Sequence, residues 1–508
     1  MCGICGRAHL LTGRAVSPES LERMLLHLHA RGPDGEGTWI SGSVGLGHRR
    51  LAVVELSERA AQPVGILDEQ IVGVFNGELY NALALRERLR QQGVTLNHRG
   101  EMELILWAYV IYDEAFFEHL DGMFALAIWD NRHRRLLLAR DRFGKKPLFY
   151  RLDHDGIAFG SLLASLNDVA VSPLMFDPIA IDQFLSLNYI PSPATGFLET
   201  RKLAAGECLT FDAAGVKVRP WVAPSAHSGG AWRLADAERV LLDRLDRAVE
   251  KRLRSDVPVG LFLSSGLDSA AVLASLHQLG ASDIPAFTAA FKESGYDESE
   301  VASRLATHFR FPHVPIVVSP PPLETILQQL VHSCGEPVGD SSLLPTWLLA
   351  QSASERVTVV LNGDGGDECF GGYHRHLASH WVERSGVWGL PLAGLFGWAA
   401  HLVGQTGMDS GSTCGRWLSR LERLLLNLEM PLDDQYIRWM LLSNAKDSLY
   451  LRGERLRGQG SSDGGREFLK ECLRQCCSRG WLERLLEVEW KTYLGEDLLV
   501  KMDRACMA

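Results

Sequence analysis

Basic charge is the first thing in short supply. The 508 residues carry 52 lysines and arginines against 62 aspartates and glutamates, a formal net charge of −10, with no basic run to offset the acids. That argues against a nucleic-acid-binding surface, because phosphate backbones are held by clustered Lys and Arg. The pattern G-x-x-x-x-G-K-[ST] is missing, so a Walker-type phosphate loop is excluded. Ten cysteines lack disulfide-framework spacing and no signal sequence stands ahead of them, which makes a reducing cytoplasm the expected compartment. Cys2-x-x-Cys5 has no second Cys/His pair of matching spacing, and Cys472, Cys476 and Cys477 sit at helical spacing in an apolar face, so neither group reads as a metal site. One run, Gly386 to Met408, lacks formal charge and could be taken for a membrane span. It also holds Pro391, His401 and six glycines, poor helix material, and reads instead as buried or subunit-facing.

What is present describes an ordinary globular chain of two or three domains, 46% hydrophobic and 22% charged. Its centre is Val259 to Val272. A short apolar run after Pro258 reads as a buried parallel strand, Ser264-Ser265-Gly266 as a turn, and Leu267, Val272, Leu276 and Leu279 as one face of a helix ending near Gly280. A strand, a small-residue turn and a helix N-terminus present backbone N–H groups to a phosphate. A carboxylate beside a polyphosphate is repulsive unless a cation bridges them, so Asp268 reads as a Mg²⁺ ligand. Val357 to Leu361 is a second buried-strand run, and it opens into Asn362-Gly363-Asp364-Gly365-Gly366-Asp367-Glu368, where glycines alternate with acids as a metal–phosphate site requires.

These residues resemble the asparagine synthetases. Ser264 to Ser269 is similar to their S-G-G-x-D-S pyrophosphate loop, with Ser265 where glycine is usual, and Asn362 to Gly372 to their S-G-[ED]-G-x-D-E-x-F-G-G segment. The resemblance implies ATP contacts at Leu263, Ser264, Ser265, Gly266, Leu267, Asp268, Ser269, Ala289, Asn362 and Gly363. It implies Mg²⁺ at Asp268 and Asp367, and a role for Asp364 in the acyl-adenylate step. Ala286 to Phe291 resembles the adenine-flanking strand, Glu336 to Ser342 the acceptor-side E-P-x-x-D-x-S, and Tyr493 to Arg504 the Y-L-x-x-D-x-L-x-K-x-D-R segment. Ser294 or Asp297 is the expected cap of the helix after that strand.

At the other end, Met1-Cys2-Gly3 permits removal of the initiator Met. That would leave Cys2 with a thiol and an α-amine whose unperturbed pKa, about 7.7–8.0, lets it serve as a general base. Arg31-Gly32-Pro33-Asp34 marks a tight turn, His48 to Val54 reads as a strand with Arg50 at its start, and Asn76-Gly77 sets a side-chain amide beside a glycine N–H. On position alone Cys2 is merely the second residue, and an Asn-Gly pair is more often a plain hairpin turn. With Asp121 to Ala125 and Arg140 to Gly144, these segments resemble a class II glutamine amidotransferase domain running to about Pro220, an N-terminal-nucleophile fold. By that resemblance Cys2 is the nucleophile and Asn76 and Gly77 form the oxyanion hole. Arg50 would hold the glutamine carboxylate, Glu78 would line the pocket, and Glu101 would take the α-ammonium, one methylene longer than the usual aspartate.

The expected architecture is therefore mixed α/β and α+β. An N-terminal-nucleophile antiparallel sandwich over residues 2–220 is followed by a linker at 221–232 and a parallel-sheet ATP pyrophosphatase domain over 233–508. Arg233 to Arg254 reads as an amphipathic helix through Leu241, Leu242, Leu245 and Ala248, and residues 374–489 as helix-rich. The resemblance implies that glutamine, ATP and aspartate give asparagine, glutamate, AMP and pyrophosphate, and it allows a homodimer. An amidotransferase for another carboxylate is the near alternative; a glutamine or nucleotide sensor without turnover is disfavoured by Cys2, Asn76, Asp268 and Asp367 occurring together. The family's segment continues past the point where this sequence stops at Ala508, with an acyl-adenylate-facing glutamate and lysine. The 508 residues alone are accordingly expected to hydrolyse glutamine but to form amide poorly.

Overall fold

Strands such as Ile71–Leu79 and Gly122–Asp130 are apolar along nearly their whole length, and they are buried on both faces. A computed structural model describes residues 2–97, 100–170, 173–222, 232–292, 297–319, 322–385, 430–443, 463–478 and 480–507. Chain contacts divide it into two units. The first comprises Met1–Ala180, Tyr189–Asp364 and Leu494–Ala508, the second Ile181–Asn188 and Gly365–Tyr493.

In the first unit the N-terminal strands are β1 (Gly3–Ala8), β2 (Gly35–Ser41), β3 (Val44–Arg50), β4 (Val64–Ile66), β5 (Ile71–Leu79), β6 (Gly122–Asp130), β7 (Arg135–Arg140), β8 (Phe149–Leu152), β9 (Ile157–Gly160), β10 (Thr200–Lys202), β11 (Glu207–Asp212) and β12 (Gly215–Pro220). They form two six-stranded sheets of order β10-β8-β9-β1-β3-β2 and β12-β11-β7-β6-β5-β4, with antiparallel pairing throughout. Ile4, Leu46, Val74, Ala127, Leu138 and Phe159 belong to one core between the sheets. The outer faces are covered by helices: Pro18–Leu26 over the first sheet, Ala82–Gln91 and Glu101–Tyr112 over the second. This sandwich between helical layers explains why antiparallel strands here lack a polar face.

The same unit then builds a four-stranded parallel sheet of order β15-β14-β13-β16 from β13 (Val259–Phe262), β14 (Ala286–Ala290), β15 (His313–Val317) and β16 (Val359–Leu361). Leu261, Leu273, Ala286, Ala302 and Leu361 pack on one side of it; Phe262, Phe287, Leu349 and Val357 pack on the other. The second unit is helical where described: His374–Ser385, Leu432–Met440, Gly464–Arg474 and Trp481–Glu489. Among the described residues no helix is long and apolar enough to cross a membrane. Gly386 to Met408, Ser294 and residues 223–231 of the expected linker lie outside the described residues.

Several local readings need correction. Arg50 closes β3 instead of opening a strand. The run before it was hard to read because Gly47 stands where a Cβ would come within 2.9 Å of Cys5 Sγ and 3.1 Å of Leu25. Asn76-Gly77 is no hairpin turn; it lies inside β5, paired with Ala125 and Phe124. The helix Leu234–Arg252 buries Val249 and half-buries Leu245, but Leu241 and Leu242 are exposed. A helix of that length spans about 28 Å, while strands of three to five residues span roughly 10–17 Å, so the sheet covers only its C-terminal part. Cys476 and Cys477 lie past the end of the helix that carries Cys472. The helix after β14 has Glu298 rather than Asp297 at its N-cap, without a side-chain cap bond; Asp297, one residue earlier, accepts the Ser299 N–H on Oδ1 at 3.1 Å.

Candidate active site

β1 starts at Gly3, which leaves Cys2 just outside the ladder, and β3 ends at Arg50, opposite Gly35 of β2. Gly32 permits that crossing, since a Cβ there would lie 2.3 Å from the Arg49 carbonyl carbon. Cys2, Arg50, Gly77, Glu78 and Glu101 line one cleft, together with Gln62, Phe75 and Met102. Five of the six glutamine-side residues expected from the sequence are thus in one place. The sixth, Asn76, is fully buried, and neither its Nδ2 nor its Oδ1 has a hydrogen-bond partner among the described residues. A buried amide without partners is costly, about 1–3 kcal/mol, and calls for a physical reason. Gly77 cannot be replaced without moving backbone, because a Cβ would sit 2.0 Å from the Met123 carbonyl oxygen.

The cleft's electrostatics suit a zwitterion. Burial, then the neighbouring Cys2, pushes the Glu78 carboxyl up; burial, then Glu78, does the same to Glu101. Two carboxyls crowded in this way favour a cation beside them. Glu101 is anchored: Oε2 accepts the Leu79 N–H at 2.9 Å, and Arg254 Nη1 lies 3.4 Å from Oε1. At the other side Arg50 donates from Nη1 to the Ser57 carbonyl at 2.8 Å and from Nη2 to that of Glu55. The Cys2 thiol donates to the Leu51 carbonyl at 3.8 Å.

On the nucleotide side the turn is shaped by its own hydroxyls. Ser264 N–H donates to Ser269 Oγ at 3.1 Å, Gly266 N–H donates to Ser264 Oγ at 3.1 Å, and the two hydroxyls are 3.0 Å apart. Ser265, the departure from glycine, donates its N–H to Glu298 Oε2 at 3.0 Å, so the loop already engages an anionic oxygen. The helix Leu267–Gln278 follows, with Leu267 87% exposed beside the loop. Leu263 is buried next to β14, its carbonyl accepting the hydroxyl of Thr288, the neighbour of Ala289. A Cβ on Gly363 would lie 2.7 Å from Ser269 N, so Asn362-Gly363-Asp364 rests directly on the start of that helix. Asn362 Nδ2 donates to Asp364 Oδ2 at 3.2 Å, and burial pushes the Asp364 carboxyl up. Asp367 belongs to the second unit, where Gly372 closes over its Oδ1. Among the described residues no three His, Cys, Asp or Glu side chains gather as a metal site.

Comparison with known proteins agrees with this division of labour. Residues 1–222 match the glutamine amidotransferase domain family, and residues 240–508 match asparagine synthase. The glutamine-hydrolysing asparagine synthetase 1 of Bacillus subtilis is 31% identical over the whole of this chain and 78% of that protein. The chain belongs to the glutamine-hydrolysing asparagine synthetase family. A putative asparagine synthetase 2 of Methanocaldococcus jannaschii is 34% identical over 75% of this chain and 78% of its own length. The fungal protein named amidase chry2, from Gibberella zeae, is 29% identical over 76% of this chain and 62% of that one.

In this asparagine synthetase family member, sequence reasoning left some groups outside the candidate site. Lys501 Nζ donates to Ser342 Oγ at 3.0 Å and pairs with Asp340 at 3.2 Å. Asp497 is buried, its Oδ1 has no partner among the described residues, and burial with Asp340 nearby pushes its carboxyl up to about 7. Lys501 also faces Asp364 electrostatically. The signal was in the sequence, because Asp340, Ser342, Asp497 and Lys501 are among the fixed letters of the segments Glu336 to Ser342 and Tyr493 to Arg504.

Proposed function

We propose that the chain carries the two sites through which the amide nitrogen of glutamine is moved onto a carboxylate activated by ATP, with aspartate as the acceptor. The observation that carries this reading is the cleft that gathers Cys2, Arg50, Gly77, Glu78 and Glu101, with the unpartnered Asn76 amide next to Gly77 in β5. The Cys2 thiol gives its proton to its own amine and attacks the glutamine carboxamide carbon. The oxyanion takes hydrogen bonds from Asn76 Nδ2 and Gly77 N–H, ammonia leaves, and water releases glutamate from the thioester. In the second site an acceptor carboxylate oxygen attacks the α-phosphorus of ATP and pyrophosphate departs; ammonia then attacks the acyl carbon and AMP leaves. Asp268 and Asp367 would hold Mg²⁺, which when bound neutralises phosphate charge. The loop N–H groups orient the phosphates, and Asp364 and Lys501 stand where the acyl group is handled.

An amino-acid acceptor is supported by Asp497, whose free buried oxygen suits an α-ammonium. A second reading, amidation of a different carboxylate, is supported by the relative named an amidase. The test supplies glutamine labelled with nitrogen-15 in its amide, ATP, Mg²⁺ and a panel of acids, with products read by mass spectrometry. Label in asparagine together with AMP supports the proposal. Label in another acid's amide selects the second reading, and ADP as the nucleotide product sinks both.

A further inference from the structure

Two residues with no part in that chemistry, Arg31 and Asp503, pair next to the Cys2 backbone. Arg31 is 1% exposed, and its guanidinium donates in three directions. Nη1 reaches Asp503 Oδ2 at 2.7 Å, Nη2 reaches Asp503 Oδ1 at 2.9 Å, and Nε reaches the backbone carbonyl of Cys2 at 3.2 Å. Lys146 adds its Nζ to Asp503 Oδ1 at 3.2 Å. Asp503 lies on the helix Leu499–Cys506, 472 positions along the chain from Arg31.

The geometry has a direct consequence. Cys2 precedes the first ladder residue, Gly3, so sheet hydrogen bonding does not fix it. Its thiol contact to Leu51 is long, at 3.8 Å, whereas the Arg31 Nε bond to its carbonyl is 3.2 Å. A guanidinium is a rigid planar fork, so a bidentate carboxylate on its two Nη groups also fixes the direction of Nε–H. We propose that Asp503 is a positioning residue for Cys2, acting through Arg31, so that a carboxylate on the synthetase-side helix completes the glutaminase site. The same helix turns Lys501, two residues earlier and therefore about 200° away around the axis, toward Asp340 and Ser342. One rigid element thus touches both halves of the chemistry.

This inference rests on Cys2 being the nucleophile. The test measures glutamate release by the purified full chain and by Arg31→Lys, Asp503→Asn, Asp503→Glu and Cys2→Ala, with kcat and KM separated and the unfolding midpoint recorded. Arg31→Lys keeps a cation beside Asp503 but lacks the Nε–H. It should lose on the order of 10–100-fold in kcat with KM for glutamine and the midpoint close to wild type. Asp503→Asn should lose kcat similarly, and Asp503→Glu should recover part of the loss. If Asp503→Asn does not fold, Arg31→Lys decides alone. Wild-type kcat in Arg31→Lys overturns the proposal, since a merely neutralising ion pair would leave turnover per folded molecule unchanged. Wild-type glutamate release by Cys2→Ala would instead remove the nucleophile assignment, and the proposal with it.

Discussion

Replacing Asn76 by alanine separates activity from stability in a way that few active-site substitutions do. The side chain is fully buried in β5, and both its amide atoms lack partners among the described residues. Leaving such a group unsatisfied costs roughly 1–3 kcal/mol, and truncation removes that cost. Against this stands lost packing from a small side chain, about 1 kcal/mol. The net expectation is a fold between about 0 and 2 kcal/mol more stable. Activity should move the other way. Losing one oxyanion donor typically lowers kcat by about 10²–10³-fold, or roughly 2.7–4 kcal/mol of transition-state stabilisation, with KM for glutamine little changed. Glutamate release at saturating glutamine and denaturant unfolding followed by fluorescence measure the two effects. A kcat within about threefold of wild type would refute the oxyanion role. A loss of stability like that of a core truncation, about 2–5 kcal/mol, would show that the amide is held in a way the reasoning denies.

Other outcomes concern the glutamine cleft and the nucleotide loops. Because burial and Glu78 raise the Glu101 carboxyl above the ordinary glutamate value of about 4.3, its ionised fraction climbs as pH rises through neutrality. KM for glutamine should therefore fall between pH 5 and 8, and Glu101→Gln should raise KM and flatten that dependence; an unchanged profile would remove Glu101 from ammonium binding. The linkage has the opposite sign for stability. A folded form that holds protons the unfolded chain has released loses stability as pH rises above about 4.3, and glutamine should restore part of it. Asp268→Asn and Asp367→Asn should each suppress conversion of ATP to AMP with the unfolding midpoint retained, whereas unchanged pyrophosphate release in both would sink the metal assignment.

Legibility followed the range of the interactions. β13, its turn and its helix were readable because an apolar run, small residues and helical spacing coincide within a few positions. β3 was misread at Arg50 because its Gly47 answers to packing by Cys5 and Leu25, neither of them a neighbour in sequence. Glu101 was legible as a carboxylate but not as an anchored one, since Arg254 reaches it from 153 positions away. Leu241 and Leu242 carry the right period, and only the short sheet decides that they stay exposed. Arg31 and Asp503 had no local signal of partnership at all.

The central claim is that Cys2 is the nucleophile of a glutaminase cleft, and covalent capture tests it most directly. A glutamine-analogue electrophile, added in limiting amounts, should form one adduct on Cys2 by peptide mass spectrometry, with glutamate release falling in proportion to the modified fraction and free glutamine slowing the reaction. An adduct on Cys5 or another cysteine, or full glutamate release from protein modified at Cys2, would contradict the account.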